Sequence, residues 1–179
     1  MDSINRNQPE HNRQDLAAAA AVERIQEMSD DADSCFFCTA PLAGSETGGT
    51  RPMSIKKADA SGALYFLSAS DSHKNAEIEA DPNVRLYLQS AKHSGFLVLD
   101  GHASISRDRE QIDALWNPIM KTWFTEGKDD PRITVIRVAA ESGYYWDNKH
   151  GEFIAATKMV IGAALGKTLD DSIEGTVAP

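Results

Sequence analysis

The sequence predicts a mainly β fold with helices, built either as a small barrel or as an open α+β sheet. Six or seven short segments rich in β-branched and aromatic residues are separated by turn residues, as is typical of strands in such folds. One helical segment stands between the third and the fourth strand, and helical segments at the two ends are expected to cover the sheet. Apolar residues make up 41% of the 179 residues, which is enough for one ordinary globular core.

The first half of the chain is predicted to form a tail, a helix and three strands. Residues 1–13 are polar and lack periodicity, so we expect a flexible tail before a single domain that spans 14–166. From Gln14 to Met28 apolar residues recur at helical spacing, and SDDADS at 29–34 ends this helix. The three strands that follow are SCFFCTA at 34–40, TRPMSIKKAD at 50–59 and SGALYFLS at 61–68.

The second half is predicted to contain three helices, four strands and a second tail. The helices are Ser72–Ala80, which stops before Pro82, Arg107–Trp116, and Glu152–Leu165, which ends at Gly166. The strands are VRLYLQSA at 84–91, GFLVLDGHASI at 95–105, ITVIRVAA at 133–140 and GYYWD at 143–147. A long loop, NPIMKTWFTEGKDDP, occupies 117–131, and residues 167–179 are expected to form a polar tail.

Charge and composition exclude several classes of partner. The formal net charge of −9 argues against nucleic acid or an anionic membrane as the main partner, because both require a basic surface. No apolar run is long enough to span a bilayer and no signal peptide is recognisable, so the protein is expected to be cytoplasmic. The sequence also lacks GxSxG, HExxH, P-loop and GxGxxG motifs, and its histidines lack ligand spacing, so no metal site is predicted.

Two cysteines three positions apart, Cys35 and Cys38, leave two interpretations open. Such a pair occurs in redox and metal sites, but here it lies within a predicted strand, where positions three apart point to opposite faces. No second Cys or His pair with zinc spacing follows. We therefore favour two buried thiols over a functional pair.

The stretch SASDSHKNAEIEADP is a candidate anion site. A predicted strand ends at Ser68, and a predicted helix begins a few residues later. Free backbone N–H groups and the positive end of the helix dipole favour an anion at such a place. Ser68, Ser70 and Ser72 supply hydroxyl groups, Lys74 supplies a full positive charge, and His73 can add part of one. The alternative is that a serine caps the helix and that Lys74 is a solvated surface residue.

Arg51 strengthens the phosphate hypothesis. It lies on the strand directly before the one that ends in Ser68, so antiparallel pairing of these strands would bring Arg51 and Lys74 to one end of the sheet. Arginine forms bidentate contacts with phosphate, and lysine adds a point charge. Pro52 indicates an edge strand or a bulge, whose backbone groups stay accessible to a ligand. The alternative is a surface charge on an edge strand.

Several short motifs occur together in a characteristic order. Arg-Pro-Met at 51–53 precedes a strand that ends in a hydroxyl residue, and Ser-x-Lys at 72–74 opens a helix that ends in Asp-Pro. Further along the chain stand LWNPIMKTWFTEGKDDP at 115–131 and YYWD at 144–147. Together these motifs resemble the pyridoxamine 5′-phosphate oxidase-like, FMN-binding split-barrel superfamily. The last two motifs resemble its general stress protein 26 branch.

This resemblance implies a six-stranded antiparallel split β-barrel, a homodimer, and one FMN in each of two clefts between the subunits. It implies that Arg51 and Lys74 bind the FMN phosphate, with Ser68 and Ser72 beside them. His73 stands where relatives carry a second basic residue. The residues implied to line the isoalloxazine ring or to border the cleft are Met53, Ser54, Leu67 and Trp146 from the other subunit. Lys121 and Trp123, in the loop at 117–131 (called the signature loop below), are also implied to border it.

The sequence departs from the vitamin B6 oxidases at the site where those enzymes bind the substrate phosphate. Lys56, five positions after Arg51, is retained as a cation on the substrate side. The Arg and His that the oxidases carry after the tryptophan are replaced by Glu152 and Ile154. Because a carboxylate in this place would repel a substrate phosphate, we predict that the protein does not oxidise vitamin B6.

Two functions of different class remain open. The chain is either an FMN-dependent oxidoreductase on an unidentified small substrate, with a nicotinamide as candidate donor, or a non-catalytic flavin-binding or storage protein linked to the stress response. FAD, a deazaflavin and haem are the alternative cofactors.

Overall fold

The computed structural model describes residues 12–44, 48–90, 95–148 and 172–179 of the chain. The strands in these ranges are β1 (Leu16–Ala17), β2 (Ser34–Thr39), β3 (Thr50–Ser54), β4 (Lys57–Ala58), β5 (Leu64–Ala69), β6 (Asn83–Gln89), β7 (Phe96–Ser106), β8 (Ile133–Asn148) and β9 (Ser172–Ala178). The helices are α1 (Ala18–Ala32), α2 (His73–Ala80) and α3 (Arg109–Leu115), with 3₁₀ turns at Pro118–Thr122 and Gly127–Asp129. Within these ranges, no helix has both the length and the apolar character needed to cross a bilayer.

The strands form one sheet in the order β1-β9-β8-β7-β6-β2-β3. β1 and β9 run parallel, and the neighbours from β9 to β3 are antiparallel. β5 lies off this path and pairs with β4 and with β8. β8 has 16 residues, so its first half pairs with β5 and its second half with β9, while β7 pairs along much of its length. β8 therefore joins the part of the sheet that carries β5 to the part that carries β9.

The main hydrophobic core combines one face of the sheet with α1. Successive side chains of a strand point to opposite faces, so alternate residues of β2, β6 and β7 enter this core. The rings of Phe37 and Phe66 meet edge to face, with centroids 5.2 Å apart. Ile25 of α1 and Tyr145 of β8 are fully buried in the same cluster. α1 is thus held on the sheet by its apolar stripe.

A smaller hydrophobic core holds the loop between α3 and β8. Leu67 of β5, Ile112 of α3 and Ile133 of β8 pack together with Met120 and Phe124 of this loop. Burial of apolar side chains is the dominant favourable term in folding, so this cluster fixes the loop beside the end of β5.

β8 is one strand where the sequence predicts two. The predicted strands 133–140 and 143–147 are continuous in the structure, because β7 pairs with both of them. The pairing register shifts between Asp100 and Gly101 of β7, which marks a β-bulge. A Cβ atom on Gly101 would lie 2.2 Å from the carbonyl oxygen of Ala139, so only a glycine permits this close approach.

The predicted fold class, mainly β with helices, is confirmed, but the number of strands and the ends of the chain differ. The described residues form nine strands where the resemblance implies six. The predicted polar tail is wrong for Ser172–Ala178, which forms β9 between β1 and β8. A Cβ atom on Gly175 would lie 1.9 Å from the carbonyl oxygen of Gln14, so this glycine lets the N-terminal segment approach β9. Residues 1–11 and the predicted helix Glu152–Leu165 lie outside the described residues.

Candidate ligand-binding cleft

A cleft of about 370 Å³ lies between β3, the end of β5, the start of α2 and the loop that precedes β8. Its volume is within the range of small-molecule sites. Three cationic residues line it, namely Arg51, Lys56 and Lys74. The other lining residues are mostly apolar, namely Pro52, Met53, Leu67, Ala69, Met120, Trp123 and Phe124, together with Ser54 and Ser68. The cleft therefore suits a ligand that joins an anionic group to a flat or apolar body.

Arg51 and Lys74 line the same cleft, although only part of the predicted strand pairing is present. The predicted strand 50–59 forms two strands, β3 and β4, and β4 pairs antiparallel with β5, as the sequence predicts. Arg51 stands on β3, the part that does not pair with β5. β3 pairs with β2, whereas β5 pairs with β4 and β8. Both cations line the same cleft because α2, which carries Lys74 in its first turn, follows β5 closely along the chain.

Arg51 is held by a buried acid and a buried hydroxyl group. Its Nη2 donates to Glu77 Oε2 over 2.6 Å, and its Nη1 donates to Thr39 Oγ1 over 2.6 Å. The Thr39 hydroxyl in turn donates to Glu77 Oε2, also over 2.6 Å. The side chain of Arg51 is 15% exposed and that of Glu77 is 1% exposed. The guanidinium therefore takes its position from β2 and α2, with a carboxylate as neighbour.

Lys74 is the second cation of this end of the cleft, and its ammonium group is partly desolvated. Burial, and next the positive charge of Arg51, lower the pKa of Lys74 from its ordinary 10.5. The carboxylates of Glu77 and Asp71 act in the opposite direction and raise it. A bound anion would also favour the charged form of Lys74, because an opposite charge nearby stabilises the ammonium group.

The two predicted hydroxyl ligands are engaged with a buried asparagine. Ser68 Oγ donates to Asn75 Oδ1 over 2.7 Å, and Ser72 Oγ donates to the same oxygen over 3.1 Å. Asn75 Nδ2 donates to Thr134 Oγ1, which donates to the backbone oxygen of Ser68. Each serine hydroxyl has one proton to donate, and in both residues it is directed at Asn75. The network connects the start of α2 to β5 and β8. Ser68 lines the cleft, whereas Ser72 does not.

The signature loop contributes an apolar wall. Trp123 lines the cleft and is 61% exposed, so its ring stands at the edge of the cavity. Met120 and Phe124 also line the cleft, and both are buried in the smaller hydrophobic core. Neither residue was predicted from the sequence. A usable signal was present, because these two apolar residues stand four positions apart and flank the predicted cleft residue Trp123. The Asn117 side chain accepts from the backbone N–H of Ile119 and begins the 3₁₀ turn.

Besides Ser72, three predicted site residues do not line the cleft of this chain. His73, in the first turn of α2, and Lys121, in the 3₁₀ turn, are both exposed. Trp146 stands opposite Phe96 in the β7–β8 pair, and its ring centroid lies 4.6 Å from that of Tyr144. The resemblance assigns Trp146 to the cleft of the other subunit, so that role stays a prediction.

A second cavity lies beside an aromatic face on the outside of the sheet. We use the name aromatic face for the exposed rings of Phe36, Tyr87, Phe96 and Trp146, which are 42–58% exposed. The first three of these rings line a hollow of about 520 Å³. Pro52 lines this hollow and also the cleft, so the two cavities adjoin at β3.

The cysteines and the described acidic residues offer no further site. Both cysteines are free thiols in β2; Cys35 is buried, and Cys38 is half-buried. Burial raises the pKa of Cys35 to about 12, so this thiol stays protonated and unreactive at neutral pH. In the part of the chain that the structure describes, no three His, Cys, Asp or Glu side chains are grouped to hold a metal ion.

Comparison with known proteins identifies related chains. The family model described as "Pyridoxamine 5'-phosphate oxidase like" matches residues 20–170. Protein bli-3 of Neurospora crassa is 26% identical over 151 residues, which cover 78% of this chain and 68% of that protein. General stress protein 26 of Bacillus subtilis is 30% identical over 81 residues, which cover 44% of this chain and 57% of that protein.

Solved structures share the fold. A protein from Jannaschia sp. CCS1 named general stress protein 26 has a TM-score of 0.73 and 21% identity, and the match covers 90% of this chain and 100% of that one. The general stress FMN/FAD binding protein from Xanthomonas citri has a TM-score of 0.60 and 25% identity, and the match covers 74% and 91% of the two chains.

Proposed function

Because the chain belongs to the Pyridoxamine 5'-phosphate oxidase like family, we propose that its cleft binds a flavin, and specifically FMN. The observation that carries this proposal is that Arg51 and Lys74 converge at a cleft whose other walls are mostly apolar. A phosphomonoester suits two cations, and an isoalloxazine ring suits a wall of apolar and aromatic side chains. The flavin-binding neighbour from Xanthomonas citri supports the same assignment.

The proposal gives each group of side chains a part. Arg51 and Lys74 hold the phosphate, while Met53, Leu67 and Trp123 contact the ring. The hydroxyls of Ser68 and Ser72 keep the start of α2 in place through Asn75, and so act on the phosphate site indirectly. We assign no ligand contact within one chain to His73 and Lys121, which are exposed beyond the cleft.

We also propose that a second copy of the chain covers the aromatic face, giving a homodimer. Clustered exposed rings of this kind are typical of interaction surfaces. The hollow beside these rings adjoins the cleft at Pro52, so a partner seated there would lie close to the ligand. Trp146 of the partner subunit is then the candidate for the flavin contact that the resemblance implies.

We propose an FMN-dependent oxidoreductase on a small substrate, and not a vitamin B6 oxidase. A bound flavin supplies hydride and electron transfer, and the chain's part is to hold it, orient it and limit the access of water. Lys56 also lines the cleft and is the candidate contact for an anionic substrate. Glu152 and Ile154, on which the exclusion of vitamin B6 rests, lie outside the described residues.

The second candidate is a flavin-binding protein without turnover. Among the described residues that line the cleft, none is a His, Cys, Asp or Glu. Groups of these types are the usual proton donors and acceptors in catalysis, so the described cleft favours binding over acid–base chemistry.

The test is the visible absorption spectrum of the purified chain after incubation with FMN and removal of the excess by gel filtration. We expect about one retained flavin per chain, and much weaker retention of riboflavin, which lacks the phosphate. Retention of neither compound would overturn the FMN assignment. Rapid anaerobic reduction of the bound flavin by NADH or NADPH would then favour the oxidoreductase, and the lack of reduction by either would favour the binding protein.

A further inference from the structure

A buried acid lies beside the two cations of the cleft. Glu77 stands three positions after Lys74 on α2, so both side chains emerge on the same side of the helix. The Glu77 carboxylate accepts from Arg51 and from Thr39, and its side chain is 1% exposed. A carboxylate in this place is unexpected for a site that receives an anion, because it repels a phosphate group.

The carboxylate has a clear physical role while the cleft holds no ligand. The Arg51 side chain is only 15% exposed, so its charge has lost hydration, which is costly unless a counter-charge is close by. Glu77 supplies that charge from α2, and Thr39 completes the contact from β2. The same carboxylate acts on Lys74 by favouring its charged form. Glu77 thus balances the guanidinium of Arg51 and opposes the lowering of the Lys74 pKa before any anion arrives.

We propose that Glu77 is an internal counter-ion that stabilises the ligand-free fold at the expense of affinity for the phosphate group. This inference rests on the proposed function, since it deepens the phosphate assignment at Arg51 and Lys74. An incoming phosphate dianion shares the guanidinium with Glu77, and an Arg side chain with five N–H donors accommodates both. Repulsion between the two anions then weakens binding, and the ligand remains exchangeable.

The decisive variant is Glu77→Gln, which keeps the length of the side chain and an oxygen that accepts from Arg51 and Thr39. The control is Glu79→Gln, an exposed residue of the same helix that removes the same formal charge. We expect Glu77→Gln to lower the Tm of the ligand-free chain and to tighten FMN binding by on the order of tenfold. Riboflavin affinity should stay unchanged, since riboflavin carries no phosphate.

Two results would overturn the inference. Weaker FMN binding in Glu77→Gln, with unchanged riboflavin binding, would make Glu77 a positioning residue that aims Arg51. An FMN affinity equal to that of Glu79→Gln would show that the buried carboxylate has no special effect. Measurement by titration of flavin fluorescence separates these results.

A readout without flavin separates this inference from the flavin assignment. Inorganic phosphate should raise the Tm of Glu77→Gln more than that of the wild type or of Glu79→Gln, even if no chain retains FMN. Equal gains in the three chains would contradict the counter-ion. If Glu77→Gln does not fold, the added change Arg51→Met should restore folding, because it removes the charge that Glu77 balances; failure to do so would also contradict it.

Discussion

The cleft and the aromatic face expose side chains of opposite kinds, and they differ in how those side chains are satisfied. At the cleft, Arg51 has a buried partner in Glu77, and the serine hydroxyls donate to Asn75. At the aromatic face, Phe36 and Trp146 are 58% and 42% exposed. The cationic end of the cleft, formed by Arg51 and Lys74, is thus organised by contacts within one chain. The aromatic face leaves apolar surface that a second chain can bury.

This difference predicts where single changes act. Changes at the cationic end should alter the stability of the single chain and its affinity for phosphate. Changes at the aromatic face should alter association and leave the fold of one chain intact. The following four predictions test this contrast, from the largest expected effect to the smallest.

Arg51→Ala should lower the free energy of unfolding by about 3–5 kcal/mol, because it leaves the buried Glu77 carboxylate without its guanidinium partner. The matched control is Arg85→Ala, which breaks the pair with Asp100, whose side chains are 52% and 41% exposed. Exposed pairs contribute about 0–1 kcal/mol, so the control should change little. Urea denaturation of the ligand-free chains measures both, and equal losses would contradict the contrast between buried and exposed pairs.

Phe36→Asp should weaken self-association by about 2–4 kcal/mol, since aromatic anchors dominate apolar interfaces and a buried charge opposes them. The control is Leu42→Asp, because Leu42 is also exposed but does not line the hollow beside the aromatic face. Light scattering coupled to gel filtration should show a monomer for Phe36→Asp and a dimer for the control. A dimer in both variants would place the interface elsewhere.

Lys74→Met should weaken FMN binding by about 1.5–3 kcal/mol, the usual value of a hydrogen bond to a charged group. Wild-type affinity should also fall as pH rises through the pKa of Lys74, which burial and Arg51 place below the ordinary 10.5. In the window from that lowered pKa up to 10.5, the folded chain binds fewer protons than the unfolded chain, so Lys74 makes stability rise with pH there.

The Lys74 prediction is checked by FMN titrations and urea denaturation at several pH values up to 10.5. Lys74→Met should show neither pH trend in that window. Persistence of the affinity trend in this variant would assign it to another group.

Trp123→Ala should weaken FMN binding by about 0.5–1.5 kcal/mol, the additional value of an aromatic pair. Its ring is 61% exposed at the edge of the cleft, so the stability of the ligand-free chain should hardly change. Ile119→Ala serves as control, because Ile119 is 63% exposed on the same loop but does not line the cleft. Fluorescence titration with FMN and with riboflavin should show equal losses for Trp123→Ala, since the contact is to the ring.

Much of the fold was predictable from local patterns. The alternation of apolar residues in β2, β6 and β7 marks strands whose one face is buried, and Pro82 closely follows the end of α2. β9 was missed because SIEGTVA has weak alternation and a glycine at its centre. Its strand conformation depends on pairing with β1 and β8, which are distant along the chain.

The cleft was predictable in its chemistry and not in its internal contacts. Lys74 was identified at a strand–helix junction, where a cation favours phosphate, and Arg51 was identified on the strand expected to lie beside it. The predicted reason for their proximity was correct only in part, since β4 pairs with β5 as predicted but β3, which carries Arg51, pairs with β2. Glu77 looks like an ordinary surface acid of a short helix in the sequence, and no local pattern shows that its carboxylate is buried.

The sequence by itself determined the α+β class, the positions of most strands, and the cationic residues at the cleft, while the apolar lining residues were named only through the family resemblance. These follow from periodicity, turn residues and charge, which are properties of neighbouring residues. The tertiary structure alone decided that β8 joins two parts of the sheet, that Asn75 accepts hydrogen bonds from the two serine hydroxyls, and that Glu77 lies against Arg51. Those outcomes depend on which distant residues are buried together, because burial decides how strongly a charge or a hydroxyl needs a partner.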